Sequence, residues 1–175
     1  MILLEGIKSN RQVYNSHYIS KSYPKKVIIL TYKTHSLLGL ALSILLAGAS
    51  FLGGFIALIS SLLPDLDHRE SYLSWNFPFL SKMVHSRYEH RGITHSLFSL
   101  LFLSLLFWFI SPNYANYFFI GYGSHLLADS ITPAGIPLLY PREDRFSFDI
   151  IKTGSDFEYV IQGFALAILA GLFLY

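Results

Sequence analysis

The chain has 175 residues, 53% hydrophobic and only 14% charged, with no cysteine and a formal charge of +2. Charged residues make up about a quarter of a typical soluble domain, so this composition argues against an ordinary water-soluble globule. Without cysteine, disulfides and thiolate metal sites are excluded and any ion must be held by His, Asp or Glu. The small net charge, with no basic-aromatic interleaving, excludes nucleic acid as the expected partner.

Taken in chain order, residues 1–33 read as a basic arm. Lys8, Arg11, Lys21, Lys25, Lys26 and Lys33 stand against the single acid Glu5. The arm lacks the pattern of a secretory signal, and by the positive-inside rule it belongs on the cytoplasmic face. Residues 34–175 are expected to form one membrane-embedded domain.

The first apolar run extends from Ser36 to Leu63, longer than one span needs. Its middle, Gly48 to Gly54, is rich in small residues, so either one tilted helix or a hairpin of Ser36 to Ala47 and Phe51 to Leu63 fits. The runs Ser96 to Ile110 and Tyr114 to Ala128 flank a Ser-Pro-Asn turn, which predicts an antiparallel helical pair. Each is roughly 22 Å long at 1.5 Å per residue, short against a bilayer core of about 30 Å. A last run covers Tyr159 to Tyr175.

A repeat decides between hairpin and single helix. "THSLLGLALSILL" from Thr34 matches "THSLFSLLFLSLL" from Thr94, and "SSLLPD" ending at Asp65 matches "SHLLAD" ending at Asp129. Leucine matches are cheap in apolar sequence, but the THS start and terminal aspartate in the same order are not. The expectation is an all-α integral membrane protein of two short helical hairpins in a pseudo-repeat, followed by a C-terminal helix. A hairpin returns both ends to one side, so His35, Asp65, His95, His125 and Asp129 should meet on one lip.

That lip has the makings of a metal site. His125 and Asp129 stand at i and i+4 on one helix face. Asp65, Asp67 and His68 occupy a proline-started bend, while His90 and His95 flank Gly92. Imidazole mixed with carboxylate suits Zn, Mn or Fe(II) better than Ca. Two similar halves suggest two ions close together, able to activate water and clamp a displacement at phosphorus. Arg91, Arg142 and Arg145 are candidates to hold an anionic group. Asp67 or Glu158 would take the proton. Blander readings stand beside these. Thr34 and Thr94 are good helix N-caps, Ser155 to Glu158 reads as a capping box, the loop carrying Arg142 and Arg145 fits a solvated turn, and His17 and His85 read as surface residues.

The segments "THSLLG", "LLPDLDH", "HRGITHS" and "HLLADSITPAGIPLLYP" together resemble the LexA-regulated, membrane-bound predicted metal-dependent hydrolases. The likeness runs from about Thr34 to the last apolar segment. It implies a multi-pass inner-membrane protein whose metal site uses His35, Asp65, Asp67, His90, His95, His125 and Asp129. The His125-x-x-x-Asp129 helix also resembles, locally, that of the zinc-dependent phospholipases C.

The function expected is therefore metal-dependent hydrolysis, at the cytoplasmic face, of a phosphoester or related bond in a lipid-like or phosphorylated substrate. Arg91 acts on the reacting anion, Arg142 and Arg145 help bind it, and membrane lipids are the expected surroundings. Zn is the favoured metal. The rivals are a non-enzymatic membrane protein with a structural metal and an amidase or peptidase. Ion transport is disfavoured, because ionisable residues lie at segment ends rather than mid-membrane.

Overall fold

The structure is a computed structural model describing residues 25–67, 71–85, 92–142, 144–151 and 155–174. His68, His90, Arg91 and the chain before residue 25 lie outside these residues. Helix α1 (Lys25–Ala47) and helix α2 (Phe51–Ser60) form the first hairpin. Gly48 makes the turn at φ +96°, a conformation that a side chain would penalise. Ser50 then caps α2 by accepting from Gly53 N at 3.1 Å. The hairpin, not the single tilted helix, is what the glycine-rich stretch encodes.

Short elements follow: a 3-10 segment (Leu63–Asp67), α3 (Tyr72–Asn76), α4 (Pro78–His85) and a 3-10 turn (Ile93–His95). The second hairpin is α5 (Leu97–Ile110) and α6 (Ala115–Ser130), joined by a 3-10 turn, Pro112–Tyr114. A non-helical segment with one isolated antiparallel bridge, Ile136 to Phe146, leads to the final helix α7 (Asp156–Phe173). The described residues are thus helical without a β-strand, as expected.

Two boundaries differ from the sequence reading. Helix α1 begins at Lys25, so the last residues of the basic arm and the apolar run form one helix. Lysine is a good helix former, and hydrophobicity alone does not mark where a helix starts. Thr34 consequently lies inside α1 and caps nothing. Ser96, rather than Thr94, caps α5, accepting from Ser99 N at 3.2 Å.

Helix α6 is the centre of the bundle, packed against α1, α2 and α5, while α7 packs on α1. Its buried residues include Tyr117, Phe118, Gly121, Tyr122, His125, Leu126 and Asp129. Leu100, Phe118, Tyr122, Leu126 and Ile136 form the apolar core. The outer side of α5 is apolar too, with Phe98, Leu101, Phe102, Leu105, Leu106, Phe109 and Ile110 exposed. A monomer in water rarely carries such a surface. Among the described residues, no helix is long and apolar enough to cross a membrane.

Candidate metal centre

Both hairpins return to one end, and there the polar side chains meet. His35 and Asp129 approach to 3.4 Å, and His95 lies 3.5 Å from Asp129. His125 sits 3.7 Å from Asp129, 3.8 Å from Asp65 and 3.3 Å from His95, each through Nε2. The His35 and His125 rings stack at 3.8 Å. His35, His95, His125 and Asp129 are buried, while Asp65 is partly exposed. Two overlapping groups, His35–Asp65–His125 and His95–His125–Asp129, each place one donor atom per residue within 4.8 Å of one another.

These spacings match the edges of a coordination shell. Bonds of about 2.0–2.1 Å in a tetrahedron set neighbouring donors about 3.3 Å apart. The hydrogen bonds behind the rings point the same way. His125 Nδ1 donates to Ser61 O at 2.7 Å, which leaves Nε2 to face the cluster. His95 Nδ1 lies 3.3 Å from Asp67 Oδ2, so its Nε2 also faces inward. His35 Nδ1 is buried with no hydrogen-bond partner among the described residues.

Asp67 departs from its predicted place. In a 3-10 turn, residues two apart diverge. Asp65 therefore faces His125, whereas Asp67 stands behind His95. Its Oδ2 accepts from Gly92 N at 3.1 Å and from the Thr94 hydroxyl. Burial alone would raise the Asp67 pKa, but bonding to and the charge of His95, with Thr94 and Gly92, hold it below the usual carboxylate range. For His95, burial pushes the pKa down, yet Asp129 and Asp67 outweigh it and lift it to about 9. The two carboxylates therefore favour a positive charge at His95, whereas burial and the neighbouring His35 push the His125 pKa down to about 3.

Glu158 is not the capping residue its sequence context suggests. Ser155 makes no side-chain cap on α7, and Glu158 is buried, accepting from Thr34 Oγ1 at 2.6 Å. Gln162 donates to the same threonine oxygen at 2.8 Å. Thr34, His35, Asp129, Glu158, Leu38 and Ile161 line part of a cavity of about 40 Å³ beside the cluster. The cavity's accessible wall is mostly apolar, with Leu38, Ala128, Ile131, Ile151 and Ile161 among its residues.

The repeat gains a meaning that sequence reasoning missed. Each THS threonine donates to a carboxylate, Thr34 to Glu158 and Thr94 to Asp67, and each adjoining histidine joins the cluster. The signal was visible as the repeated threonine but was indistinguishable from a helix cap. Ser61 carbonyl and Tyr122, whose hydroxyl donates to Thr94 O at 2.6 Å, left no sequence signal. Arg142 and Arg145 are exposed, and among the described residues neither bonds to the cluster; Arg145 donates to Ala134 O at 3.3 Å.

Residues 30–175 match the family described as YdjM inner membrane protein. The chain belongs to the YdjM family. It is 40% identical over 114 residues to inner membrane protein YdjM of Escherichia coli strain K12, covering 60% of this chain and 58% of that protein. It is 36% identical over 152 residues to the uncharacterized protein YvsG of Bacillus subtilis strain 168, covering 79% and 91%. The match thus spans under three fifths of the Escherichia coli relative's length. No solved structure matches. The YdjM family name supports membrane localisation and gives the exposed apolar face of α5 a natural setting.

Proposed function

We propose that this YdjM-family protein is a metal-dependent hydrolase acting at the membrane surface on a phosphoester or related bond of a lipid-like substrate. The observation that carries this reading is the convergence of three imidazole nitrogens and two carboxylates at coordination spacing. His35, Asp65, His95, His125 and Asp129 are the donors available to an ion, Zn being favoured by the mixed imidazole and carboxylate set. His125 belongs to both groups but has one nitrogen to offer, because Nδ1 is engaged by Ser61. His125 can thus serve one ion only. A second ion would share Asp129, whose two oxygens face different histidines, and would draw further donors from His90 and His68, the sequence candidates.

An ion in this position supplies Lewis acidity towards a water or substrate oxygen. Glu158, held by Thr34 and lining the same cavity as His35 and Asp129, is our candidate to take the water's proton. Asp67 orients His95 from behind. The local likeness of the His125–Asp129 helix to zinc-dependent phospholipases C favours phosphodiesters, with Arg91, Arg142 and Arg145 as the cationic candidates for the substrate anion.

The test is elemental analysis of detergent-purified protein followed by assay with a phosphodiester panel. Bound Zn, Mn or Fe together with turnover supports the reading; protein that takes up no transition metal on reconstitution sinks it. Two substitutions separate the roles. Glu158→Gln should leave metal content intact while turnover falls by about a hundredfold or more. Asp67→Asn should weaken metal affinity by about 10- to 100-fold, as loss of an outer hydrogen-bond partner does, yet still bind the ion at saturating metal. Complete loss of the ion in Asp67→Asn would instead make Asp67 a ligand.

A further inference from the structure

The surface beside the metal cluster carries a second feature, independent of the hydrolase reading. Where α3 meets α4, the five consecutive residues Trp75, Asn76, Phe77, Pro78 and Phe79 are all exposed. Trp75 is 77% exposed, Phe77 52% and Phe79 81%. Three bare aromatic rings in five residues are costly in water.

The corner is a built structure. Phe77 N bonds to Leu73 O at 2.8 Å to close α3, and Ser81 N bonds to Phe77 O at 3.1 Å as α4 begins. Pro78 starts α4, where its fixed φ suits the first helical position. The base of α3 is fastened to the chain segment that carries Asp65 and Asp67. Ser71 Oγ donates to Asp65 O at 2.7 Å, and Ser74 Oγ lies 3.3 Å from Leu66 O. Whatever holds the aromatic corner therefore fixes the height of the metal cluster.

We propose that the Trp75–Phe79 corner is an interfacial anchor, seated among lipid headgroups, that sets the metal cluster at the level of the lipid–water boundary. Three observations select the bilayer as occupant. Tryptophan is the side chain most at home at that boundary, with an apolar body and a polar N–H. The exposed Asn76 and Lys82 beside the rings suit headgroups rather than acyl chains. The corner also stands at the polar end of an uncharged body, since no Asp, Glu, Lys or Arg occurs from Thr34 to Pro64 or from Ser96 to Ala128. The apolar faces of α2 and α5, with Phe51, Phe55, Phe102 and Phe109 exposed, extend that body away from the cluster towards the hairpin turns.

The chain has two tryptophans, and they mark the two ends. Trp75 is at the corner, and Trp108 lies in the last turn of α5, near the hairpin turn. Trp108→Phe and Trp75→Phe each leave one reporter. The full-length protein would be reconstituted into vesicles containing lipids brominated either near the headgroup or near the chain ends. The expected result is that Trp75 is quenched about twofold more by the shallow bromines and Trp108 more by the deep ones, as an interfacial ring and a buried ring should be. Trp75 that ignores both bromines and yields to aqueous iodide would overturn the anchor and return the corner to water. Trp75 with the same depth profile as Trp108 would also overturn it, placing the cluster below the headgroups. Should either phenylalanine variant fail to fold, a nitroxide on Phe79→Cys, the chain's sole cysteine, reads the same depth. None of these outcomes depends on a bound metal or on hydrolysis.

Discussion

Asp129→Ala should strip transition metal from the purified protein and, in the metal-free state, cost about 3–5 kcal/mol of stability, as removing one partner of a buried ionic pair does. Asp129 is the carboxylate common to the cluster: one oxygen lies 3.4 Å from His35 and the other 3.5 and 3.7 Å from His95 and His125. Without it, three buried imidazoles face one another with only the partly exposed Asp65 as an anion for His125. The same loss lowers the His95 pKa, because the hydrogen bond that His95 donates to Asp129 is the largest effect holding it up against burial. Elemental analysis and thermal unfolding with and without added zinc check both parts. Wild-type protein should be stabilised by zinc and the variant should not. Equal metal content in the two proteins would remove Asp129 from the site.

Gly121→Val should prevent the bundle from closing, with a loss of about 3 kcal/mol or more and reduced metal content in whatever protein folds. A side chain at Gly121 would overlap Ser60 Oγ and the carbonyl of Ala57, and would stand 2.8 Å from Ala57 Cα. Backbone cannot yield as the end of a flexible side chain can, so α6 must move away from α2. That movement separates His125 from the carbonyl of Ser61, which fixes its ring at 2.7 Å. The stability effect therefore reaches the cluster through the helix contact. Thermal unfolding in detergent, compared with Gly123→Val, gives the check. A methyl at Gly123 meets only the Leu100 side chain, at 3.9 Å, so that variant should be the milder of the two.

The sequence by itself determined the two hairpins, their common polar end and five of the residues that meet there. Those features follow from local and additive causes: uncharged runs, a turn glycine, a Ser-Pro-Asn break and the i, i+4 spacing of His125 and Asp129. The placing of Asp67 and Glu158 was decided only in three dimensions. Asp65 and Asp67 are two residues apart and look equivalent in sequence. The 3-10 turn aims one at His125 and the other at the back of His95. Glu158 fits a capping box on sequence, and only the packing of α7 against α1 presents it to Thr34 instead. The start of α1 was hidden for a related reason, since lysines extend a helix without announcing it. Spacing along the chain fixes which residues share an end. Which hydrogen bond each of them takes depends on partners more than a hundred residues away, as between Thr34 and Glu158, and these exist only once the helices have packed.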